Sequence, residues 1–204
     1  MSRAAVRDSY DAVAHHYAAE LAEDPQREPW ARGVLAAFAE LVDGPVLDVG
    51  CGPGPATAHL HRLGVDVRGL DLSPVMVAIA RAEHPAIRFD EGDLAALDAT
   101  GLGGIVAWYS FIHVPPAERA DVLAGFHRAL APGGHLLLAF QVGDVVRHYD
   151  EAFGRPVSLD FHRLRPDAVT ALLTEAGFTE VARVVRAPVG AEPTPQAHLL
   201  ARRP

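Results

Sequence analysis

The sequence feature that most constrains the fold is an alternation of short apolar runs with longer amphipathic segments. The segments between the runs carry apolar residues three or four positions apart, the spacing of one helix face. The apolar runs, which have the length of buried strands, lie at 45–49, 65–71, 87–90, 104–110 and 135–140. Alternating strands and helices form a parallel sheet covered by helices on both faces. The sequence therefore predicts an α/β fold.

The 204 residues suffice for one domain and are too few for two full ones. Residues 1–43 predict a helical cap, interrupted between Pro25 and Pro29, and residues 44–140 a binding core. The irregular stretch 141–165, rich in His and aromatic residues, is a candidate lid. A helix and two further runs, expected as an antiparallel pair at one sheet edge, fill 166–204.

Composition excludes several classes of function. The formal net charge is −8 and the basic residues are dispersed, so no basic face is available to hold nucleic acid. The single cysteine, Cys51, cannot form an intramolecular disulfide, and no apolar run approaches the roughly 18 residues of a membrane span. The first residues also lack the apolar core of a signal peptide. We therefore expect a cytoplasmic protein without a nucleic-acid or membrane partner; the sequence does not indicate its oligomeric state.

The strongest local motif is the first strand, which runs directly into three alternating glycines and a helix. These glycines are Gly50, Gly52 and Gly54. Without side chains they let the backbone approach a ligand closely, and the following helix offers unpaired N–H groups to an anion. Either a pyrophosphate or an amino-acid carboxylate fits this arrangement.

Acids end the next two strands. Asp71 lies about 20 residues after the glycine loop, where a carboxylate accepts hydrogen bonds from both hydroxyls of a ribose. Asp93 follows the third strand, where it is placed to accept from an exocyclic amine. Because ligands bind at the carboxyl ends of parallel strands, we expect the three motifs to form one site.

In this order the motifs resemble those of the class I S-adenosylmethionine-dependent methyltransferases, in the members that act on small molecules. The resemblance runs from about Val46 to Phe140. It implies a Rossmann-like, seven-stranded, mostly parallel sheet with an antiparallel strand pair at one edge. It also implies S-adenosyl-L-methionine as cofactor and S-adenosyl-L-homocysteine as product. Gly103 and Gly104 depart from the family, whose fourth strand often begins with an aromatic residue and an acid.

The resemblance assigns the glycine loop and Asp48 to the methionine part of the cofactor. It assigns Asp71 to the ribose, and Asp93 with Leu94 to the adenine. Tyr10 and Tyr17 share one helical face and either cover the cofactor or serve as packing. The expected cofactor-binding residues are Tyr10, Tyr17, Asp48, Gly50, Cys51, Gly52, Gly54, Asp71, Leu72, Met76, Asp93, Leu94 and Trp108.

His113 is the candidate general base, with loop closure before Pro115 as the alternative role. The candidate acceptor-binding residues are Tyr109, His113, His148, Tyr149, Phe161 and His162. The eleven histidines are scattered, and no cluster has metal-ligand spacing, so we expect no metal.

The expected function is methyl transfer to an oxygen or nitrogen of a small molecule, with a secondary metabolite as the first expectation. One alternative is a homologue that binds the cofactor without methylating, as a cyclase or a regulator. A less favoured one is an NAD(P)-dependent oxidoreductase, whose G-x-G-x-x-G fingerprint differs from the G-x-G-x-G of this loop and leaves Asp93 without a role. Methylation of a nucleic-acid base is disfavoured because Val114 stands where those relatives have an acid or amide before paired prolines.

Overall fold

The computed structural model describes residues 2–20, 28–190 and 192–204. The helices are α1 (Arg3–Glu20), α2 (Pro29–Leu41), α3 (Pro55–Arg62), α4 (Pro74–Glu83), α5 (Arg119–Ala129) and α6 (Pro166–Glu175). The strands are β1 (Val46–Val49), β2 (Val67–Asp71), β3 (Phe89–Glu91), β4 (Leu102–Trp108), β5 (Leu130–Gln141), β6 (Val146–Ala152), β7 (Arg155–His162), β8 (Thr179–Arg186) and β9 (Gln196–Arg202). Short 3₁₀ helices lie at Phe111–His113 and Pro116–Glu118. The expected break after α1 falls mostly on residues 21–27, outside the described ranges.

Seven strands form one sheet in the order β3-β2-β1-β4-β5-β9-β8. Strands β1 to β5 are parallel, and β9 runs antiparallel to both β5 and β8. This confirms the predicted Rossmann-like sheet with an antiparallel pair at one edge. The chain moves outward in one direction from β1 to β3 and in the other from β4, so a crevice opens where the carboxyl ends of β1 and β4 meet.

Both faces of the sheet are covered because its central strands are apolar on both sides. Helices α2 and α3 pack Leu35, Phe38 and Leu60 against one face. Helices α5 and α6 pack residues such as Phe126 and Leu173 against the other. In β1 every residue is buried, including Asp48, which brings a carboxyl group to the crevice inside an apolar strand.

Local signals set several boundaries. Ser73 caps α4, because its Oγ accepts a hydrogen bond from the Met76 N–H at 3.0 Å, and Pro74 opens the helix. Gly103, which departs from the family pattern, lies where a Cβ would come within 2.0 Å of the Asp43 carbonyl oxygen. The glycine therefore permits the close approach of β4 to the segment after α2.

The candidate lid contains a hairpin, β6 paired antiparallel with β7. Most of β6 is exposed and polar, so it lacks the alternation of buried and exposed residues that would have identified a strand. Helix α1 joins this hairpin through Ser9, whose Oγ accepts from the Ser158 N–H at 2.8 Å. Helix and hairpin together cover the crevice. Within the described ranges, no helix combines the length and the apolar character needed to cross a lipid bilayer.

Candidate functional site

A cavity of about 570 Å³ lies at the carboxyl edge of the sheet, beneath α1 and the hairpin. Its lining brings together the ends of β1, β2 and β4, the segment after β3, helix α1 and both hairpin strands. Its volume falls within the range of about 300–1,000 Å³ typical of small-molecule sites. The three strand-end motifs thus meet in one place, as their order along the chain predicts.

Asp48 lies at the base of the cavity with a free acceptor. Its Oδ2 accepts from the Thr57 hydroxyl at 2.6 Å, whereas its Oδ1 has no hydrogen-bond partner in the part of the chain that the structure describes. Burial raises the pKa of Asp48 to about 7. A buried carboxyl with an unfilled lone pair favours a cationic or hydrogen-bond-donating ligand.

The three glycines of the loop differ in what surrounds them. A Cβ on Gly50 would lie 2.3 Å from the Ser110 Cβ, so this glycine lets the loop pack against the end of β4. Gly52, with φ at +55°, lines the cavity and has no atom within 4 Å of an added Cβ. Gly54 does not line the cavity, and its missing side chain makes room for Phe89 and His84. The expected ligand role therefore does not fit the position of Gly54.

Asp71 ends β2 and joins the glycine loop to the start of α4. Its Oδ2 accepts from the Gly52 N–H at 2.7 Å, and its Oδ1 from the Ser73 N–H at 2.8 Å. Burial raises the pKa of this carboxyl, and the two backbone hydrogen bonds oppose that rise. Each carboxylate oxygen keeps a second lone pair, so Asp71 can still accept two hydrogen bonds from a ligand.

Asp93, after β3, is paired across the cavity mouth with α1. Its Oδ2 lies 2.6 Å from the Arg3 Nε, and the same arginine reaches the Glu118 Oε2 at 2.5 Å. The Asp93 Oδ1 accepts from the Ala95 N–H at 2.9 Å, and this hydrogen bond fixes the turn after β3. These contacts hold the first turn of α1 over the cavity.

Tyr10, on α1, and His113, after β4, form a hydrogen-bonded pair inside the cavity. The His113 Nδ1 lies 3.0 Å from the Asp160 carbonyl oxygen, which can only accept, so Nδ1 carries the ring proton. The Nε2 lone pair then accepts from the Tyr10 hydroxyl at 2.7 Å. Burial lowers the pKa of His113 to about 4, so the ring is neutral at neutral pH. His113 is therefore in the form that can take up a proton.

Aromatic rings continue from His113 into the hairpin. The Phe161 ring lies edge-on to His113, with centroids 4.7 Å apart, and edge-on to Tyr149 at 5.3 Å. On the other side, Tyr10 meets Tyr17 edge-on at 5.8 Å. Such edge-to-face contacts are favourable and fix the orientation of each ring.

Trp108 ends β4 and lines the cavity. Its ring packs against His198 at 5.1 Å and edge-on to Tyr109 at 5.8 Å. Its buried Nε1 has no hydrogen-bond partner among the described residues. The donor is enclosed beside the cavity wall.

Most of the residues singled out in the sequence line the cavity. They are Tyr10, Tyr17, Asp48, Gly50, Cys51, Gly52, Asp71, Leu72, Met76, Asp93, Leu94, Trp108, Tyr109, His113, Tyr149 and Phe161. His148 and His162 do not line it, although they flank residues that do. His148 instead lies 2.7 Å from the Asp160 carboxylate, with its side chain 55% exposed. A strand sends alternate side chains to opposite faces, so a cluster in sequence does not share one surface.

Several lining residues are not predicted from the sequence, among them Arg3, Ser73, Ser110, Glu118, Gln141, Phe153 and Leu159. Arg3, Phe153 and Leu159 reach the cavity through the placement of α1 and the hairpin, which no local motif encodes. Ser73, Ser110 and Gln141 lie at or just after strand ends. Phe153, which precedes the turn glycine of the hairpin, could have been noticed in the sequence, because a large aromatic residue is unusual at that position. Within the described ranges, no group of three or more His, Cys, Asp or Glu side chains is placed to hold a metal ion.

The cavity fits the cofactor that the motifs imply. Gly52 leaves open space where a side chain would stand, which allows a ligand to contact the loop backbone. The free Asp48 oxygen offers an acceptor for an amino group, and the remaining lone pairs of Asp71 suit a pair of hydroxyls. The chemistry of the donors and acceptors thus matches an adenosyl amino acid.

Comparison with known proteins supports the same conclusion. A family model described as a methyltransferase domain matches residues 46–134. A trans-aconitate 2-methyltransferase of Sinorhizobium medicae is 37% identical over 139 residues, which cover 60% of this chain and 47% of that protein. An uncharacterized methyltransferase of Synechocystis is 30% identical over 146 residues, 67% of each chain. The chain spans about half the length of the trans-aconitate enzymes that it matches.

A solved structure has the same fold. The 1,6-didemethyltoxoflavin-N1-methyltransferase of Burkholderia thailandensis, with bound S-adenosylhomocysteine, superposes with a TM-score of 0.77 at 22% identity. The match covers 98% of this chain and 88% of that one. On the sequence relatives, the fold and the strand-end motifs together, this chain belongs to the class I S-adenosylmethionine-dependent methyltransferases.

Proposed function

We propose that this protein transfers a methyl group from S-adenosyl-L-methionine to an oxygen or nitrogen of a small molecule, such as a secondary metabolite. The observation that carries the proposal is that one cavity connects Asp71 and the glycine loop to His113. A cofactor held by the strand ends and an acceptor beside His113 would share that space. Positioning two reactants in this way contributes about 7–11 kcal/mol to lowering the barrier of such a reaction.

The chain's own groups account for cofactor binding. Asp71 would accept from the ribose hydroxyls while it keeps its two backbone hydrogen bonds. Asp48 would accept from the amino group, which its free Oδ1 can reach without breaking the Thr57 contact. Asp93 already binds Arg3, so an adenine amine would share that carboxylate with the arginine.

Held by Asp48, Asp71 and the glycine loop, the cofactor would supply a methyl carbon on a positively charged sulfur, and that sulfur would keep the electron pair of the C–S bond. The protein must align the acceptor atom and receive its proton. Tyr10 can take the acceptor proton on its oxygen while its own proton passes to the His113 Nε2. The Asp160 carbonyl oxygen, which accepts from Nδ1, would then stabilise the charged ring.

His113 is a weak base for this task. With its pKa lowered to about 4, it favours the neutral ring and receives a proton at a cost. An acceptor that ionises readily, such as a phenol or an acidic ring N–H, needs less help than an aliphatic alcohol. The site therefore suits acceptors with acidic protons.

The activity is tested by incubating the purified protein with the cofactor and a metabolite extract. Mass spectrometry should show a product heavier than its precursor by one methylene group, together with S-adenosylhomocysteine. A protein that binds S-adenosylhomocysteine tightly but yields no methylated compound from any extract would contradict methyl transfer.

The role of His113 is tested by His113→Asn. We expect turnover to fall by about 100-fold or more, the usual contribution of a general base, while S-adenosylhomocysteine binds as in the parent. His148→Asn, which alters a histidine outside the cavity, is the matched control. A His113→Asn variant that turns over normally between pH 6 and 9 would remove His113 from the reaction.

A further inference from the structure

The cavity divides into a cofactor lobe and an acceptor lobe. The cofactor lobe comprises the strand ends, which the preceding proposal assigns to S-adenosylmethionine, together with the first two turns of α1 and Glu118, which pairs with Arg3. The acceptor lobe is the remainder, between the end of β4 and the hairpin, and its side chains include Tyr109, His113, Gln141, Tyr149, Phe153 and Phe161. What binds there depends on the charge and shape of these groups.

The charged residues that line the described cavity all belong to the cofactor lobe. They are Arg3, Arg7, Asp48, Asp71, Asp93 and Glu118. Both arginines are already paired, Arg3 with Asp93 and Glu118, and Arg7 with Asp8 at 2.9 Å.

The acceptor lobe is therefore uncharged. Arg186, on β8, does not line the cavity, and both of its terminal nitrogens bind Glu192 at 2.5 Å. An anion placed in this lobe would lose its hydration without gaining a cationic partner, which is strongly unfavourable. The charge distribution thus disfavours di- and tricarboxylates as acceptors.

Two aromatic residues of this lobe have an energetically unfavourable backbone conformation. Among the described residues other than glycine, only Tyr109 and Phe153 have a left-handed backbone, with φ at 56° and 52°. Both line the acceptor lobe. Left-handed backbone is unfavourable for bulky residues and persists where the surroundings or the function require it.

Phe153 occupies the less favourable of the two positions. It lies with Gly154, at φ +68°, in the two-residue turn between β6 and β7. A turn with two positive φ values strongly prefers Asn-Gly, and phenylalanine is a poor residue at its first position. The Phe153 ring stacks on His16 of α1 at 5.7 Å, so one contact fixes it while it lines the cavity. The turn therefore has an aromatic ring facing the acceptor lobe at a position where asparagine would be conformationally more favourable.

We propose that the acceptor is an uncharged, planar aromatic or heteroaromatic molecule, held in the acceptor lobe between the ring of Phe153 and the rings beside His113. This inference rests on the proposed methyl transfer for the identity of the second ligand. Flat ligands suit walls made of rings fixed edge-on, as Tyr149, Phe161 and His113 are here. Phe153 and Tyr109 are then specificity-determining residues.

Binding to the protein saturated with S-adenosylhomocysteine tests the proposal without requiring turnover. The neutral probes are 1-naphthol and 2-quinolone, and the anionic probes are trans-aconitate and malonate. Calorimetry should show binding of a neutral probe at least tenfold tighter than that of either acid. Tighter binding of an acid, or no binding of either neutral probe, would overturn the acceptor class.

Phe153→Asn separates a binding role from a structural one. Because asparagine fits the turn better, the variant should melt at the parent's temperature or above it, while its affinity for the neutral probe falls at least tenfold. Its affinity for S-adenosylhomocysteine should not change. Val146→Asn, at an exposed position of the same hairpin, is the control and should bind the probe as the parent does. Parent-like probe binding by Phe153→Asn would assign Phe153 to packing against His16 alone.

The two proposals fail in different ways. A protein that binds the neutral probe but methylates nothing in an extract contradicts methyl transfer and leaves the acceptor lobe as inferred. A protein that methylates a carboxylic acid but not an aromatic compound keeps the activity and refutes the acceptor class.

Discussion

Asp71→Asn tests the central contact of the site, because it keeps the shape of the side chain and replaces one carboxylate oxygen by an NH₂ group. In the parent both oxygens accept from backbone N–H groups, those of Gly52 and Ser73. Whichever way the amide turns, one N–H then faces another donor. A hydrogen bond to a charged group contributes about 1.5–3 kcal/mol. The variant therefore loses stability even without a ligand.

The loss should lie near the lower end of that range. Burial raises the pKa of Asp71, which shows that the ionised carboxylate is costly in this position, and the neutral amide avoids that cost. We expect the free energy of unfolding to fall by about 1.5 kcal/mol. One ribose hydroxyl would also lose its acceptor, so the dissociation constant of S-adenosylhomocysteine should rise about tenfold or more, since 1.4 kcal/mol corresponds to a factor of ten.

Urea unfolding of the ligand-free protein measures the first effect, and calorimetric titration with S-adenosylhomocysteine measures the second. Asp66→Asn, at an exposed position just before β2, controls for the loss of one negative charge and should change neither quantity. Parent-like affinity in Asp71→Asn would refute the ribose contact. Parent-like stability would refute its role in joining the loop to α4.

Three further predictions concern glycine geometry and titration. Gly52→Ala and Gly64→Ala both place a Cβ in open space at positive φ, so each should lower the free energy of unfolding in urea by about 1–2 kcal/mol. Only Gly52 lines the cavity, so only Gly52→Ala should weaken the binding of S-adenosylhomocysteine measured by calorimetry. Because burial raises the pKa of Asp48 to about 7, affinity for S-adenosylhomocysteine should increase from pH 6 to pH 8, and Asp48→Asn should abolish this dependence in titrations at both pH values. Burial lowers the pKa of His198 from 6.5 to about 4, so the unfolded chain binds the proton more readily and up to about 3 kcal/mol of stability is lost as the pH falls through that window. His198→Leu should make the stability profile measured there less steep and leave the contribution of His113, whose pKa is lowered in the same way.

Much of the fold could be predicted because its signals are local. The apolar run at 45–49 coincides with β1, and the run at 135–140 lies within β5. In a parallel sheet these strands are buried on both faces, so apolar runs alone identify them. The hairpin could not be predicted in this way, because the exposed strand β6 has no buried face to impose a pattern.

The candidate site likewise contains residues that local sequence patterns predict and residues that they do not. Asp48, Asp71 and Gly52 lie at strand ends, where the order of elements brings them together. Gly54 was expected beside them, but its missing side chain makes room for Phe89. The spacing of glycines in a sequence does not distinguish a glycine that faces a ligand from one that faces a side chain. The pairing of His113 with Tyr10 joins segments 103 residues apart in sequence, and no local pattern encodes it.

The sequence by itself determined the strand-end motifs, the parallel sheet and the family, because each follows from the types and spacing of residues within a short segment. The tertiary structure decided how α1 and the hairpin close over those motifs. It therefore decided that Arg3 pairs with Asp93, that His113 is held neutral, and that Phe153 reaches the acceptor lobe. These outcomes depend on burial and on contacts between distant segments, and both exist only once the chain is folded.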